Sequence, residues 1–132
     1  MANALSFRVG ILVALSGAAG CVLRWLLANV VQRPVGAAFP AGTLVVNVLG
    51  SFAVGVVMAL FAARANLDAA ARVVVTSGFL GGFTTFSAFA WDTWALAEAR
   101  APARAAAYVA LTLVAGLGSC VAGVFLVRAL TR

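Results

Sequence analysis

Histidine and lysine are absent from these 132 residues, and acids are nearly so: Asp68, Asp92 and Glu98 are all there is. The chain therefore has no HExxH run, no Ser/His/Asp set and no paired carboxylates, which excludes most hydrolytic and metal-dependent catalysis. Cysteine is equally sparse. Cys21 and Cys120 both fall inside apolar runs without CxxC spacing, so they read as small packing residues rather than a redox pair. Charged residues make up 9% of the chain, against about 25% in a soluble domain. Hydrophobic residues make up 65%, and the mean hydropathy is +1.14. Such a chain cannot clothe its own surface in water. A soluble globular enzyme, a disordered tail and a nucleic-acid-binding domain are excluded, which leaves an integral membrane protein of one domain.

The charge that is present is arginine. Nine arginines against three acids give a net charge of +6, yet they are scattered singly and form no patch for nucleic acid. In a membrane protein such charges belong at helix ends, near anionic headgroups. A spanning helix needs about 20 largely apolar residues. Four segments meet that length: residues 9–31, interrupted by Arg24; residues 41–63 and 105–127, both uncharged; and residues 73–96, holding Asp92. The connections at 32–40, 64–72 and 97–104 are too short for a soluble domain. The first segment begins like a signal peptide after Arg8. Its apolar stretch resumes beyond Arg24 to full spanning length, which favours a retained helix. The expected fold is all-α, a four-helix membrane subunit.

Four spans put both termini on one side. That side carries Arg8, Arg64, Arg72, Arg128 and Arg132, while the opposite side carries Arg33, Arg100 and Arg104, with Arg24 joining them if it snorkels that way. Five against three or four is a weak bias. It leaves two readings open, insertion in both orientations or one orientation set by the small excess. Many transporters build a midplane site from two inverted repeats. No internal repeat is present and the chain is too short for both halves, but two oppositely inserted copies would supply the missing half.

Polar residues inside the spans are the informative ones. In the second span Thr43, Asn47 and Gly50/Ser51 fall on one helical face. Asn47 offers two donors and an acceptor, either to an ion or to an interhelical bond worth about 1 kcal/mol. The third span reads VVVTSGFLGGFTTFSAFAW from Val73 to Trp91. Gly78, Gly81 and Gly82, followed by Thr84, Thr85 and Ser87, predict that one helix ends among the glycines and another starts; a packing kink is the alternative. Unwound backbone at that depth must face protein or a cavity, with its carbonyls and amides free to bind ions. Phe83, Phe86 and Phe89 recur every three residues. Their positively polarised ring edges could hold an anion, or the stripe could simply face lipid or core. The fourth span carries Tyr108, Thr112, Gly116 and Ser119/Cys120 near helical spacing, and a small-residue run at Ala115, Ser119 and Gly123. This is a polar path or a packing seam.

GTLVVNVLGSFAVG (Gly42–Gly55) together with TSGFLGGFTTFSAF (Thr76–Phe89) resembles the Fluc (CrcB) family of bacterial fluoride channels. GAAGCVLRW (Gly17–Trp25) fits that family's first helix, and the resemblance covers all four spans. It implies a homodimer of four-helix subunits with a broken third helix, assembled antiparallel by dual topology in the bacterial plasma (inner) membrane, with two fluoride pathways. It implies passive export of cytoplasmic fluoride and no enzymatic step. Phe86 and Phe89 look like the family's pore phenylalanines, Asn47 like its pore asparagine, and Arg24 like the arginine near the vestibule. Gly81 and Thr84 look like the positions whose backbone carbonyls, one pair from each subunit, hold a structural Na+ at the dimer centre. Tyr108, Thr112 and Ser119 correspond to the fourth helix's polar track, and Phe83 is assigned no role.

Physical chemistry suits that implication. Fluoride is small and strongly hydrated, so a pore must replace its water with donors: the Asn47 amide, the hydroxyls of Thr43, Ser87 and the fourth helix, and ring edges. Carbonyl ends converging on one point make an oxygen cage for a small hard cation, which raises the potential for passing anions. A small dual-topology multidrug transporter has similar size, but it needs a carboxylate deep in its first span, and no acid precedes Asp68. A non-transporting scaffold would explain the glycines but not the threonines that follow them.

Overall fold

A computed structural model describes residues 6–64 and 68–131. Among them every regular element is helical, with four crossings long and apolar enough to span a bilayer: Phe7–Ala38, Ala41–Ala63, Ala69–Glu98 and Pro102–Leu130. Helix α1, Phe7–Val35, starts where the Ser6 side chain accepts from the Val9 amide at 3.3 Å. It ends at Gly36, whose φ of +68° turns the chain out of the helix in the left-handed region that glycine tolerates. Gln32 then holds the connection to α2 (Ala41–Ala63). Its amide nitrogen donates to the carbonyls of Gly36 and Phe39, and its oxygen accepts from the Gly42 amide at 3.0 Å.

The third crossing, Ala69–Glu98, changes its winding along its length. In α3 (residues 69–83), Asp68 caps Ala69–Val73, the backbone winds as a π-helix over Val74–Leu80, and Gly81–Phe83 returns to α geometry. Helix α4 is Phe86–Glu98. Between them Thr84 (φ −85°, ψ 160°) and Thr85 (φ −152°, ψ 118°) are extended. The expectation that the glycines themselves unwind is corrected here, since Gly78, Gly81 and Gly82 are all helical. Helix α5, Pro102–Leu130, begins three residues earlier than the apolar run predicts, because Pro102 sits at its first positions, where a missing N–H costs nothing.

Close approach explains most of the glycines. A Cβ on Gly82 would meet the Gly17 carbonyl, and one on Gly20 the Phe79 carbonyl, so α1 and α3 lie backbone to backbone. Gly55 and Gly123 do the same between α2 and α5, against the carbonyls of Cys120 and Phe52. In lipid there is no hydrophobic drive between helices, so dispersion at such small-residue contacts holds a bundle together. Large apolar side chains point outward instead, among them Leu15, Trp25, Trp91, Val114 and Phe125. The buried cluster is small: Leu96, Ala105 and Tyr108, with Phe39, Leu44 and Phe89 against it.

Candidate functional site

The extended pair is held from α2. Asn47 Nδ2 donates to the Thr85 carbonyl at 2.9 Å, and Asn47 Oδ1 accepts from the Thr85 amide at 2.9 Å. The side-chain amide thus copies a backbone pairing. In a continuous helix the Thr85 amide would bind the carbonyl four residues back, that of Gly81. One turn on, the Ala88 amide binds Thr85 Oγ1 at 3.1 Å, a threonine N-cap that starts α4. Its helical acceptor would have been the Thr84 carbonyl. The helical donors of the Gly81 and Thr84 carbonyls are thus diverted to side-chain oxygens; the Gly82 and Phe83 carbonyls lose theirs too because α4 starts at Phe86, and that of Gly82 accepts from Arg24 instead. Thr84 is fastened the other way, with its amide and hydroxyl both donating to the Leu80 carbonyl at 2.9 Å.

Beside this pair runs a groove of about 400 Å³, walled by α2, α4 and α5. Asn47, Thr84, Thr85, Phe86, Phe89 and Thr112 line it, with Ser51, Gly116 and Cys120 further along. Thr112 Oγ1 is buried and has no hydrogen-bond partner among the described residues. Phe86 is 79% exposed on the subunit. Its ring lies 5.5 Å from that of Phe89, tilted by 50°. Phe89 in turn lies 5.4 Å from Tyr108, which is fully buried and meets Phe39 edge-on at 5.5 Å.

A family model described as CrcB-like protein, Camphor Resistance (CrcB) matches residues 11–124. The chain belongs to this CrcB family. It is 43% identical over 119 residues to a fluoride-specific ion channel FluC of Rhizobium etli (strain CIAT 652), covering 90% of this chain and 95% of the relative. To the protein of the same name from Nitrobacter winogradskyi it is 43% identical over 116 residues, 88% and 92% of the two chains. To that of Roseiflexus sp. (strain RS-1) it is 42% identical over 122 residues, 92% and 95%. The stretch matched by the CrcB model contains every groove residue named above.

The residues singled out in the sequence do not all meet in this groove. Asn47, Phe86, Phe89 and Thr112 do, together with Thr84. Thr43 lines a second hollow of about 380 Å³ with Asn29, Gln32 and Asp92, nearer the α1–α2 connection. Tyr108 lies between the two, its hydroxyl donating to Asp92 Oδ2 at 3.4 Å. Ser87 is exposed on the first turn of α4, 3.2 Å from the Thr85 hydroxyl. Arg24 reaches across from α1, and its Nε donates to the Gly82 carbonyl at 3.1 Å.

Ser119 lies outside the groove, on the α2–α5 seam. Its hydroxyl donates to the carbonyls of Val48 at 3.0 Å and Gly116 at 2.9 Å. Cys120 takes the wall position instead. That choice was legible, because Thr112, Gly116 and Cys120 repeat every four residues and so share a face. Asp92, given no role in the sequence reading, turns out to be the acid of the second hollow.

Proposed function

We propose that this chain is a fluoride-selective channel, working as an antiparallel homodimer of dual-topology subunits that lets cytoplasmic fluoride run out passively. The observation that carries this reading is the make-up of the groove. Amide and hydroxyl donors (Asn47, Thr112) and the rings of Phe86 and Phe89 line it, and no acid is among its lining residues. Donors replace water around a strongly hydrated anion, and ring edges add positive potential without a full charge. Its relatives are named fluoride-specific ion channels. The groove is open along one side with Phe86 exposed, and a second subunit would close it.

The third crossing is read as a broken helix that also serves a cation. The carbonyls of Gly81 and Thr84 are among those released from helical pairing, since the Thr85 and Ala88 amides bind Asn47 and Thr85 side-chain oxygens. Neutral oxygens of this kind fit a small hard cation such as Na+, and the same two from a second subunit would complete its shell. Bound there, the ion supplies positive potential beside the anion path. In this reading hydrogen fluoride enters the cell as the neutral acid and dissociates, and the channel releases the trapped anion. No chemical step is required of the protein.

The test is efflux from proteoliposomes loaded with potassium fluoride, followed by a fluoride electrode, beside a chloride-loaded control. Fluoride leaves and chloride stays if the reading is right. A protein that releases neither is a packing scaffold, and one that releases both equally is not selective.

A further inference from the structure

Asn47 occupies an unusual place, because it touches both the groove and the backbone at the helix interruption. Its amide is oriented by what it binds: the Thr85 amide needs an acceptor and the Thr85 carbonyl a donor, so Oδ1 and Nδ2 each have one possible seat. Helix α2 is pressed onto the same spot, since a Cβ on Gly50 would collide with the Thr84 methyl group. The extended pair is therefore clamped from one face by a helix that also walls the groove.

We infer that Asn47 is a positioning residue for the cation as well as a wall of the anion groove, because its side-chain oxygen withdraws the Thr85 amide from the Gly81 carbonyl. The inference rests on the cation reading above. Without that oxygen, the nearest acceptor for the Thr85 amide along the chain is the Gly81 carbonyl. This N–H is part-buried beside the groove, and a partner within one turn is its nearest way to stay paired. Pairing them rewinds the helix through Thr85 and removes one of the two oxygens each subunit contributes. The donor half of the amide does different work. Nδ2 carries two hydrogens and spends one on Thr85, so the second is available to the groove. One side chain thus sets the cation site with its oxygen and serves the anion with its nitrogen.

The two halves separate by mutation. Asn47→Leu keeps the bulk and removes both functions. Asn47→Asp keeps an acceptor for the Thr85 amide but puts a negative charge on the anion path. The readout is the thermal midpoint of the purified dimer by tryptophan fluorescence, titrated with Na+ against N-methyl-D-glucamine at constant ionic strength. A ligand that binds the folded state raises that midpoint by mass action. Wild type is expected to show a saturable rise. Asn47→Leu is expected to need at least tenfold more Na+ for half its effect, or to show none. Asn47→Asp is expected to stay within threefold of wild type or below it, although its fluoride efflux is lost.

A wild-type response that persists unchanged in Asn47→Leu overturns the inference and leaves the cation site standing. Should Asn47→Leu not fold, Asn47→Asp decides alone, and loss of its Na+ response overturns the inference. A wild-type dimer indifferent to Na+ refutes the cation reading and the inference together, with fluoride efflux still judged by its own assay.

Discussion

Phe86 and Phe89 are three residues apart on α4 but live in different surroundings. Phe86 projects from the subunit at 79% exposure, while Phe89 packs on Tyr108 at a centroid distance of 5.4 Å. Replacing either by isoleucine keeps apolar bulk and removes the ring. For Phe86→Ile the expected loss of stability is below about 1.5 kcal/mol. Phe89→Ile also forfeits a ring–ring contact worth about 0.5–1.5 kcal/mol. If ring edges hold the anion, fluoride efflux per folded protein falls at least tenfold in both, with size-exclusion profiles unchanged. Wild-type efflux from well-folded variants would reduce both rings to packing. Ser119 is the converse case. Its hydroxyl is engaged by Val48 and Gly116 carbonyls on the α2–α5 seam.

The helices are joined by glycine contacts, and these make a prediction of their own. Gly55 is buried against the Cys120 carbonyl of α5, whereas Gly118, on α5, has nothing within 4 Å of an added Cβ. Gly55→Ala is expected to cost about 1–3 kcal/mol through overpacking. Gly118→Ala is expected to be neutral or to gain up to about 1 kcal/mol of helix propensity. Thermal midpoints of the purified proteins give the comparison. This contrast also shows what could be read in advance. Span number and rough limits followed from apolar length, because lipid demands about 20 such residues per crossing. The start of α4 was legible in Thr85, a good cap ahead of an aromatic run. The glycines of the third crossing were legible as unusual but not in their purpose, since unwinding and close packing both ask for a missing Cβ. Gly78 and Gly82 serve packing against α1, and the extended residues are the threonines after them. Nothing local announces that the Thr85 amide is matched to an asparagine 38 residues earlier, nor that Val74–Leu80 winds as a π-helix. Both arise from neighbouring helices, and Ser16 of α1 donating to the Val74 carbonyl at 3.0 Å is one such influence.

For the whole molecule, the near balance of arginines matters most. Five of them fall on the side of the termini and three on the other, with Arg24 bonded to the Gly82 carbonyl of the third crossing, so small changes in loop charge should decide orientation. Adding two or three arginines to residues 32–40 is expected to force one orientation and to lower fluoride efflux from cells. Co-expression with an oppositely biased copy is expected to restore it. Full activity of one strongly biased form by itself would exclude the antiparallel dimer. Length adds a constraint of another kind. Helices α1 and α5 have 29 residues each and α2 has 23, which at about 1.5 Å per residue makes them about 43 Å and about 35 Å long. The hydrocarbon layer is about 30 Å thick, so the long pair must lean or overhang while α2 nearly matches. The backbone contacts at Gly55 and Gly123 leave α2 no slack against α5. If a change in bilayer thickness alters the lean of α5, α2 is expected to move with it and the groove between them to change shape. Bilayer thickness would then reach the groove through two residues that have no side chain to absorb it.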